Sequence, residues 1–124
     1  MEGLLLNKYD MNIFNDILSH LLDFYMTQSP EQLIQIQEKG IIKEEIDRVR
    51  DMRVIIYPND HNPPHFHVKS KNGDVDAKFR IDNGEYISGL ISGKDLKRID
   101  AFYNSDKAQI ILKDVWNRYQ GTTL

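Results

Sequence analysis

The spacing of apolar residues changes near residue 51, and this change divides the chain into two parts. Between residues 13 and 25, apolar side chains recur at the i, i+3, i+4 spacing of an amphipathic helix. A second helix is predicted to begin after a cap at Ser29 and to end at Gly40, and a short third helix covers about 43–50. The sequence therefore predicts a helical N-terminal extension over residues 1–51.

Residues 52–124 first show the two-residue period of β-strands and then return to helical spacing. The turn pairs Asn72-Gly73 and Asn83-Gly84 each separate two strand-like segments, as in β-hairpins. The predicted strands are residues 52–57, 65–71, 74–82 and 85–91. These segments predict an antiparallel meander of three or four strands.

Two helices are predicted to follow the meander and to cover one of its faces. Ser92 with Asp95 forms a capping box, Ser105 caps the last helix, and Gly121 ends it. Their apolar stripes need a partner, and the strand face that carries the residues Val75, Ala77, Phe79 and Ile81 offers one. The predicted fold class is α+β: a small antiparallel β-meander backed by two C-terminal helices, with the N-terminal helical extension.

Composition narrows the class of protein. The chain has 124 residues, no cysteine and a net charge of −3, which excludes disulfides and thiolate metal sites and argues for one ordinary domain. No segment approaches the roughly 20 apolar residues of a membrane span. The acidic start MEGLLLNKYD is not expected to be a signal peptide. We therefore expect a cytoplasmic protein without a membrane partner.

The segment HNPPHFH concentrates three of the four histidines in seven residues. The two prolines restrict the backbone and favour an extended conformation before them. On the strand that follows, residues two apart share a face. One face would then carry the residues His65, His67, Lys69 and Lys71, and the opposite face would carry Phe66 and Val68.

The neighbouring strand adds Lys78 and Arg80 to the histidine face, since cross-strand side chains lie close together. Cleavage of RNA by its own 2′-hydroxyl needs a base, an acid and a cation, and this set supplies all three without a metal. The predicted catalytic residues are His65, His67 and His61. The predicted phosphate or RNA contacts are the residues Lys69, Lys71, Lys78 and Arg80.

Two alternatives remain open from the residues. His65 and His67, with His61 or Asp60 from the turn, could give three metal ligands and leave one position open. We predict no metal and no cofactor, because a closed zinc site would need four ligands from a small turn. In the second alternative the polar side chains form an ordinary solvated sheet face, and the histidines hold the turn.

Residues 52–120 resemble a family of small bacterial proteins described as a domain of unknown function, number forty-one-sixty. The resemblance rests on the motif H-x-P-P-H-x-H at His61, Pro63, Pro64, His65 and His67, and on the order of the elements around it. Members of that family often look like one partner of a two-gene toxin–antitoxin pair. The resemblance implies a bacterial, cytoplasmic protein with an antitoxin-like protein partner.

The residues and the resemblance together give one functional hypothesis and one alternative. The hypothesis is a component of a toxin–antitoxin-type module that acts on or binds RNA; the residues leave open whether it is an enzyme, and a metal-independent ribonuclease is the class that would fit. The alternative is a non-catalytic interaction or regulatory module with a structural histidine motif. The extension, residues 1–51, would be an arm for self-association or partner binding, or a cover for the basic face.

Overall fold

The computed structural model describes residues 8–39 and 50–124. Its elements are α1 (Lys8–Met26), α2 (Pro30–Lys39), β1 (Arg53–Ile55), β2 (His65–Lys69), β3 (Asp76–Arg80), β4 (Tyr86–Leu90), α3 (Gly93–Tyr103) and α4 (Asp106–Gln120). The predicted stop at Gly40 and nearly all of the predicted third helix, 43–50, lie outside the described residues. No described helix is long and apolar enough to cross a bilayer.

The strands form one antiparallel sheet in the order β1-β2-β3-β4, which confirms the predicted α+β meander. Both predicted hairpins are present, but their connections are longer than two residues. The β2–β3 ladder closes with the bond from Ser70 N to Val75 O, which leaves residues 71–74 as the loop. The predicted strand 65–71 therefore ends at Lys69, and Lys71 lies in the turn.

The sheet buries the face that the sequence alternation predicts. All four predicted apolar positions of the third strand are buried: Val75, Ala77, Phe79 and Ile81. Phe66 stacks on Phe79 and also contacts Phe102 of α3. Trp116 is fully buried and Tyr119 packs against the same core, as their helical spacing predicts.

Helix α1 contributes to this core and also covers the outer edge of β1. Leu18 and Leu22 belong to the same buried cluster as the sheet residues. Ser19 Oγ accepts the N–H of Val54 at 3.0 Å, and an Asp23 oxygen accepts the N–H of Met52 at 3.1 Å. Side chains of α1 thus satisfy backbone donors that an edge strand would otherwise expose.

This packing bears on the predicted role of the N-terminal residues. Most of the apolar arc of α1 is buried within its own chain, including Leu18, Leu22 and Tyr25, whereas Ile13 is exposed. The role of the extension in self-association or partner binding stays a prediction. The face of β3 that carries Lys78 stays exposed, so α1 does not cover the basic face. The division of the chain at residues 51 and 52 remains a prediction, whereas α1 and the sheet share one core.

Predicted helix caps are present, and one of them also anchors an ion-pair cluster. Ser92 accepts from the N–H of Asp95, and Ser105 accepts from that of Ala108. The Asp95 carboxylate receives two bonds from Arg50, at 2.7 and 2.9 Å, and one from Arg98 at 2.9 Å. Burial alone would raise the pKa of Asp95, but the two arginines outweigh it and lower that pKa.

Candidate functional site

The candidate site lies at one end of the sheet, where residues 56–64 connect β1 to β2. A turn closes there with the bond from Asp60 N to Tyr57 O. The Asp60 carboxylate accepts the N–H of Tyr57 at 3.0 Å, and the Asp60 carbonyl accepts from Gln120 Nε2 of α4 at 2.9 Å. These bonds hold Asp60 in one orientation, with its carboxylate towards the start of β2.

His65 is held at that start by its backbone neighbour. Its Nδ1 lies 2.8 Å from the carbonyl oxygen of Pro63, which can only accept, so Nδ1 carries the proton. The Nε2 atom of the neutral ring then presents its lone pair to Asp60 Oδ1, 3.6 Å away. His65 is only 9% exposed, and its ring lies 5.9 Å from that of Trp116.

His67 approaches the other oxygen of the same carboxylate. Its Nε2 lies 3.3 Å from Asp60 Oδ2, and its ring contacts those of Tyr57 and His65 edge to face. Burial lowers the pKa of His67, and Asp60 acts in the opposite direction. The neutral imidazole is therefore favoured at His67 despite the neighbouring carboxylate.

The two histidines share one face of β2, as the two-residue period predicts. Their ring centroids lie 5.0 Å apart, and His67 stands opposite Lys78 in the ladder. One ligand atom from each of Asp60, His65 and His67 lies within 4.8 Å of the others. Two imidazoles and one carboxylate thus converge on a single point.

A cleft of about 290 Å³ opens beside these groups. It is lined by Asp60, His61, Asn62, Pro63, His65, Lys78 and Ile87. Its volume is near the lower end of the range for small-molecule sites, so it has room for a phosphate group or another small ligand. His61 is exposed at the rim and is not part of the converging group, so the third residue beside His65 and His67 is Asp60.

The other predicted phosphate contacts are less well placed. Arg80 stands opposite His65, but its guanidinium makes two bonds to Asp82, at 2.8 and 2.7 Å. Lys69 lies at the far end of β2, where Asp76 stands opposite it. Lys71 is exposed in the turn beyond that end. The structure therefore brings Lys78 to the histidines, and it leaves Arg80 paired and Lys71 remote.

Exposure of the histidines separates the two functional hypotheses only in part. His65 is buried with a backbone partner, as a structural histidine would be, whereas His67, whose side chain is nearly as buried, lies beside Lys78. The sequence analysis places Asp60 in the turn as a possible metal ligand, and not among the predicted catalytic residues. Gln120 and Trp116, which orient the site from α4, gave no functional signal, because their spacing is that of any amphipathic helix.

Comparison with known proteins identifies the family of this chain and gives no information about its activity. Comparisons with curated proteins and with solved structures gave no match. The family described as Domain of unknown function (DUF4160) matches residues 52–117, which is more than half of the chain and includes both histidines of β2. The chain therefore belongs to the DUF4160 family, as the motif H-x-P-P-H-x-H indicates.

Proposed function

We propose that this protein is a component of a toxin–antitoxin-type module and acts on RNA at the site formed by Asp60, His65 and His67. One observation carries the proposal: two imidazoles converge on one carboxylate beside a cleft that Lys78 also lines. Such an arrangement offers proton transfer and a cation within a single small site. The cleft has the volume for one phosphate group and leaves the rest of a strand outside.

The chemistry follows from the position of each group. His65 lines the cleft and His67 stands opposite Lys78, and the two imidazoles are similarly buried, so both are candidates for proton transfer at a bound phosphodiester. Asp60 orients the ring of His67, as a carboxylate does when it fixes the direction of a catalytic imidazole, and the Pro63 carbonyl orients the ring of His65. Lys78 is exposed and close enough in the ladder to neutralise charge that develops on a phosphate.

The toxin–antitoxin part of the proposal rests on the sequence resemblance alone. The resemblance implies a bacterial, cytoplasmic protein with an antitoxin-like partner, and family membership rests on the segment that contains the site. A small protein that inhibits growth through RNA needs only a compact site and a partner that blocks it. The rim of the cleft, which includes His61 and Asn62, is exposed and accessible to such a partner.

The proposal is tested with purified protein, labelled single-stranded RNA and growth assays after induced expression. Wild-type protein should cleave the RNA and slow growth, and His67→Ala should reduce cleavage at least 100-fold, the range for loss of an acid–base group. Lys78→Ala should weaken RNA binding and reduce the slope of log Kd against log salt by about one.

The matched control is Lys71→Ala, which removes the same charge from an exposed turn away from the cleft. It should bind and cleave RNA as the wild type does. Melting curves of each variant check that the fold is intact. Equal losses in Lys71→Ala and Lys78→Ala would mean that binding is non-specific, and absence of both cleavage and binding in the wild type would refute the proposal.

A second candidate is a non-catalytic interaction module, and the burial of His65 favours it. The bond to the Pro63 carbonyl and the contact with Trp116 make this ring part of the packing at the sheet end. In this case His65→Ala should lower the melting temperature by several degrees, and His67→Ala should change it little. The wild-type protein should not cleave RNA. Differential scanning calorimetry of the two variants distinguishes the candidates.

A further inference from the structure

We propose that Asp60, His65 and His67 bind one divalent transition-metal ion of the zinc class, with an open coordination position towards the cleft. The ligand atoms would be the Nε2 atoms of the two histidines and a carboxylate oxygen of Asp60. The sequence leaves such a three-ligand site open as an alternative. The structure now identifies Asp60, rather than His61, as the third ligand.

The distances agree with those that a single ion imposes on its ligands. Zinc binds imidazole nitrogen and carboxylate oxygen at about 2.0–2.2 Å, so neighbouring ligand atoms in a tetrahedral site lie about 3.4 Å apart. His67 Nε2 is 3.3 Å from Asp60 Oδ2, and His65 Nε2 is 3.6 Å from Asp60 Oδ1. These two distances involve different oxygens of the carboxylate, and one ligand atom from each side chain lies within 4.8 Å of the others, so a single ion would bind all three by drawing them closer together.

The direction of the lone pairs points to a cation as well. The Pro63 carbonyl fixes the proton of His65 on Nδ1, so the Nε2 lone pair of the neutral ring faces a carboxylate that also only accepts. Two acceptors that face each other at this distance repel unless a positive charge, either a proton on Nε2 or a metal ion, lies between them. A metal ion would satisfy this pair and bind His67 as well.

The surrounding bonds are those that commonly orient metal ligands. A ligating histidine usually donates its second ring N–H to a backbone carbonyl or carboxylate, as His65 does to Pro63. The carboxylate is fixed by the N–H of Tyr57, and the turn that carries it is fixed by Gln120. The ligands are thus positioned by the fold before any ion binds.

The donor set selects the class of ion. Two imidazole nitrogens suit zinc and its first-row neighbours, whereas magnesium and calcium prefer oxygen ligands only. Two neutral imidazoles and one carboxylate leave a net charge of +1 on the loaded site. With Lys78 in the same cleft, that charge favours an anionic ligand such as phosphate at the open position.

The inference goes beyond the proposed function, because metal binding stands on this geometry whether or not RNA is the substrate. In the loaded site His67 Nε2 would be a ligand, so proton transfer by that atom belongs to the metal-free protein. It is tested without RNA. Protein stripped with a chelator and dialysed is titrated with Zn²⁺ by calorimetry, and with Mg²⁺ as the comparison ion. We expect one Zn²⁺ per chain at micromolar or tighter affinity, no saturable Mg²⁺ binding, and a melting temperature that rises with Zn²⁺ and falls again with chelator.

Variants assign the binding to the three side chains. Asp60→Asn and His67→Ala should each lower Zn²⁺ affinity at least tenfold. When Co²⁺ is bound in place of Zn²⁺, the visible ligand-field bands expected for the wild-type protein should be absent in both variants. His20→Ala, which removes an exposed imidazole from α1, is the matched control and should bind Zn²⁺ as the wild type does. Circular dichroism shows whether each variant is folded.

Two results would overturn the inference. One is a wild type that binds Zn²⁺ only without saturation or with an affinity weaker than millimolar. The other is folded Asp60→Asn and His67→Ala proteins that bind Zn²⁺ as tightly as the His20→Ala control. Because RNA is absent from every arm, these outcomes leave the RNA proposal to its own assay, and failure of RNA cleavage leaves the metal result intact.

Discussion

Replacement of Leu22 by alanine tests whether α1 is part of the domain core or an arm for association. Leu22 is completely buried, with 0% exposure, in the cluster that also contains Phe66 and Trp116. An association arm would lose contacts with another copy, whereas a core helix loses packing within its own chain. The two cases differ in what is measured: oligomeric mass in the first and free energy of unfolding in the second.

The expected cost follows from the complete burial of the side chain. Burial of a leucine contributes about 1.5–3 kcal/mol, and the cavity that alanine leaves brings the total for such changes to about 2–5 kcal/mol. We expect about 3 kcal/mol for Leu22→Ala. At roughly 3–5 °C per kcal/mol for a chain of this size, the melting temperature should fall by about 10–15 °C.

Urea unfolding followed by circular dichroism measures this loss, and light scattering gives the mass. Ile13→Ala is the control on the same helix: Ile13 is 45% exposed, so its change should stay within about 0.5 kcal/mol. A Leu22→Ala protein with the stability of the wild type and an altered mass would refute the assignment of α1 to the core. Equal losses at Leu22 and Ile13 would also contradict it.

Three further predictions concern the ion-pair cluster around Asp95 and the contact between Gly89 of β4 and strand β3. Asp95→Asn should destabilise the fold by about 2 kcal/mol in urea unfolding, because Arg50 and Arg98 lose their shared carboxylate. Since the two arginines outweigh burial and lower the pKa of Asp95, the advantage of wild type over Asp95→Asn should be complete above about pH 5, should begin to fall near the ordinary Asp pKa of about 4, and should be lost only as the pH falls through the lowered pKa; an advantage independent of pH would contradict this. Gly89→Ala should lower the melting temperature more than Gly73→Ala. Both glycines have positive φ, but only at Gly89 would a Cβ meet the backbone of β3. Equal shifts in melting temperature would count against that contact.

Sequence periodicity predicts the sheet well because alternation and turn residues are local signals. The buried positions Val75, Ala77, Phe79 and Ile81 follow directly from a period of two residues. The loop lengths do not follow, because Asn-Gly can sit inside a four-residue connection as well as a two-residue turn. The Ser70 side chain, which accepts the N–H of Val75 at 2.9 Å, helps to close the longer loop.

The candidate site was predictable only where its residues are neighbours in the chain. The strand period places His65 and His67 on one face, and the ladder brings Lys78 beside them. The convergence on Asp60 depends on the path of the 56–64 connection, and the contribution of Gln120 depends on how α4 packs. Likewise, Ser19 and Asp23 interrupt the apolar stripe of α1 for a reason that emerges only when the edge of β1 is in place.

The covered edge of β1 has a consequence for how copies of this protein can assemble. α1 occupies the outer side of β1, whereas in the described part of the chain β4 is an exposed strand bonded only to β3, with Tyr86, Ile87 and Leu90 accessible. Two copies that joined along β4 would form one continuous eight-stranded sheet related by a twofold axis. Both ends of that sheet would then be covered by α1. Growth would stop at the dimer, so strand addition in this fold closes on itself and does not propagate into a fibre.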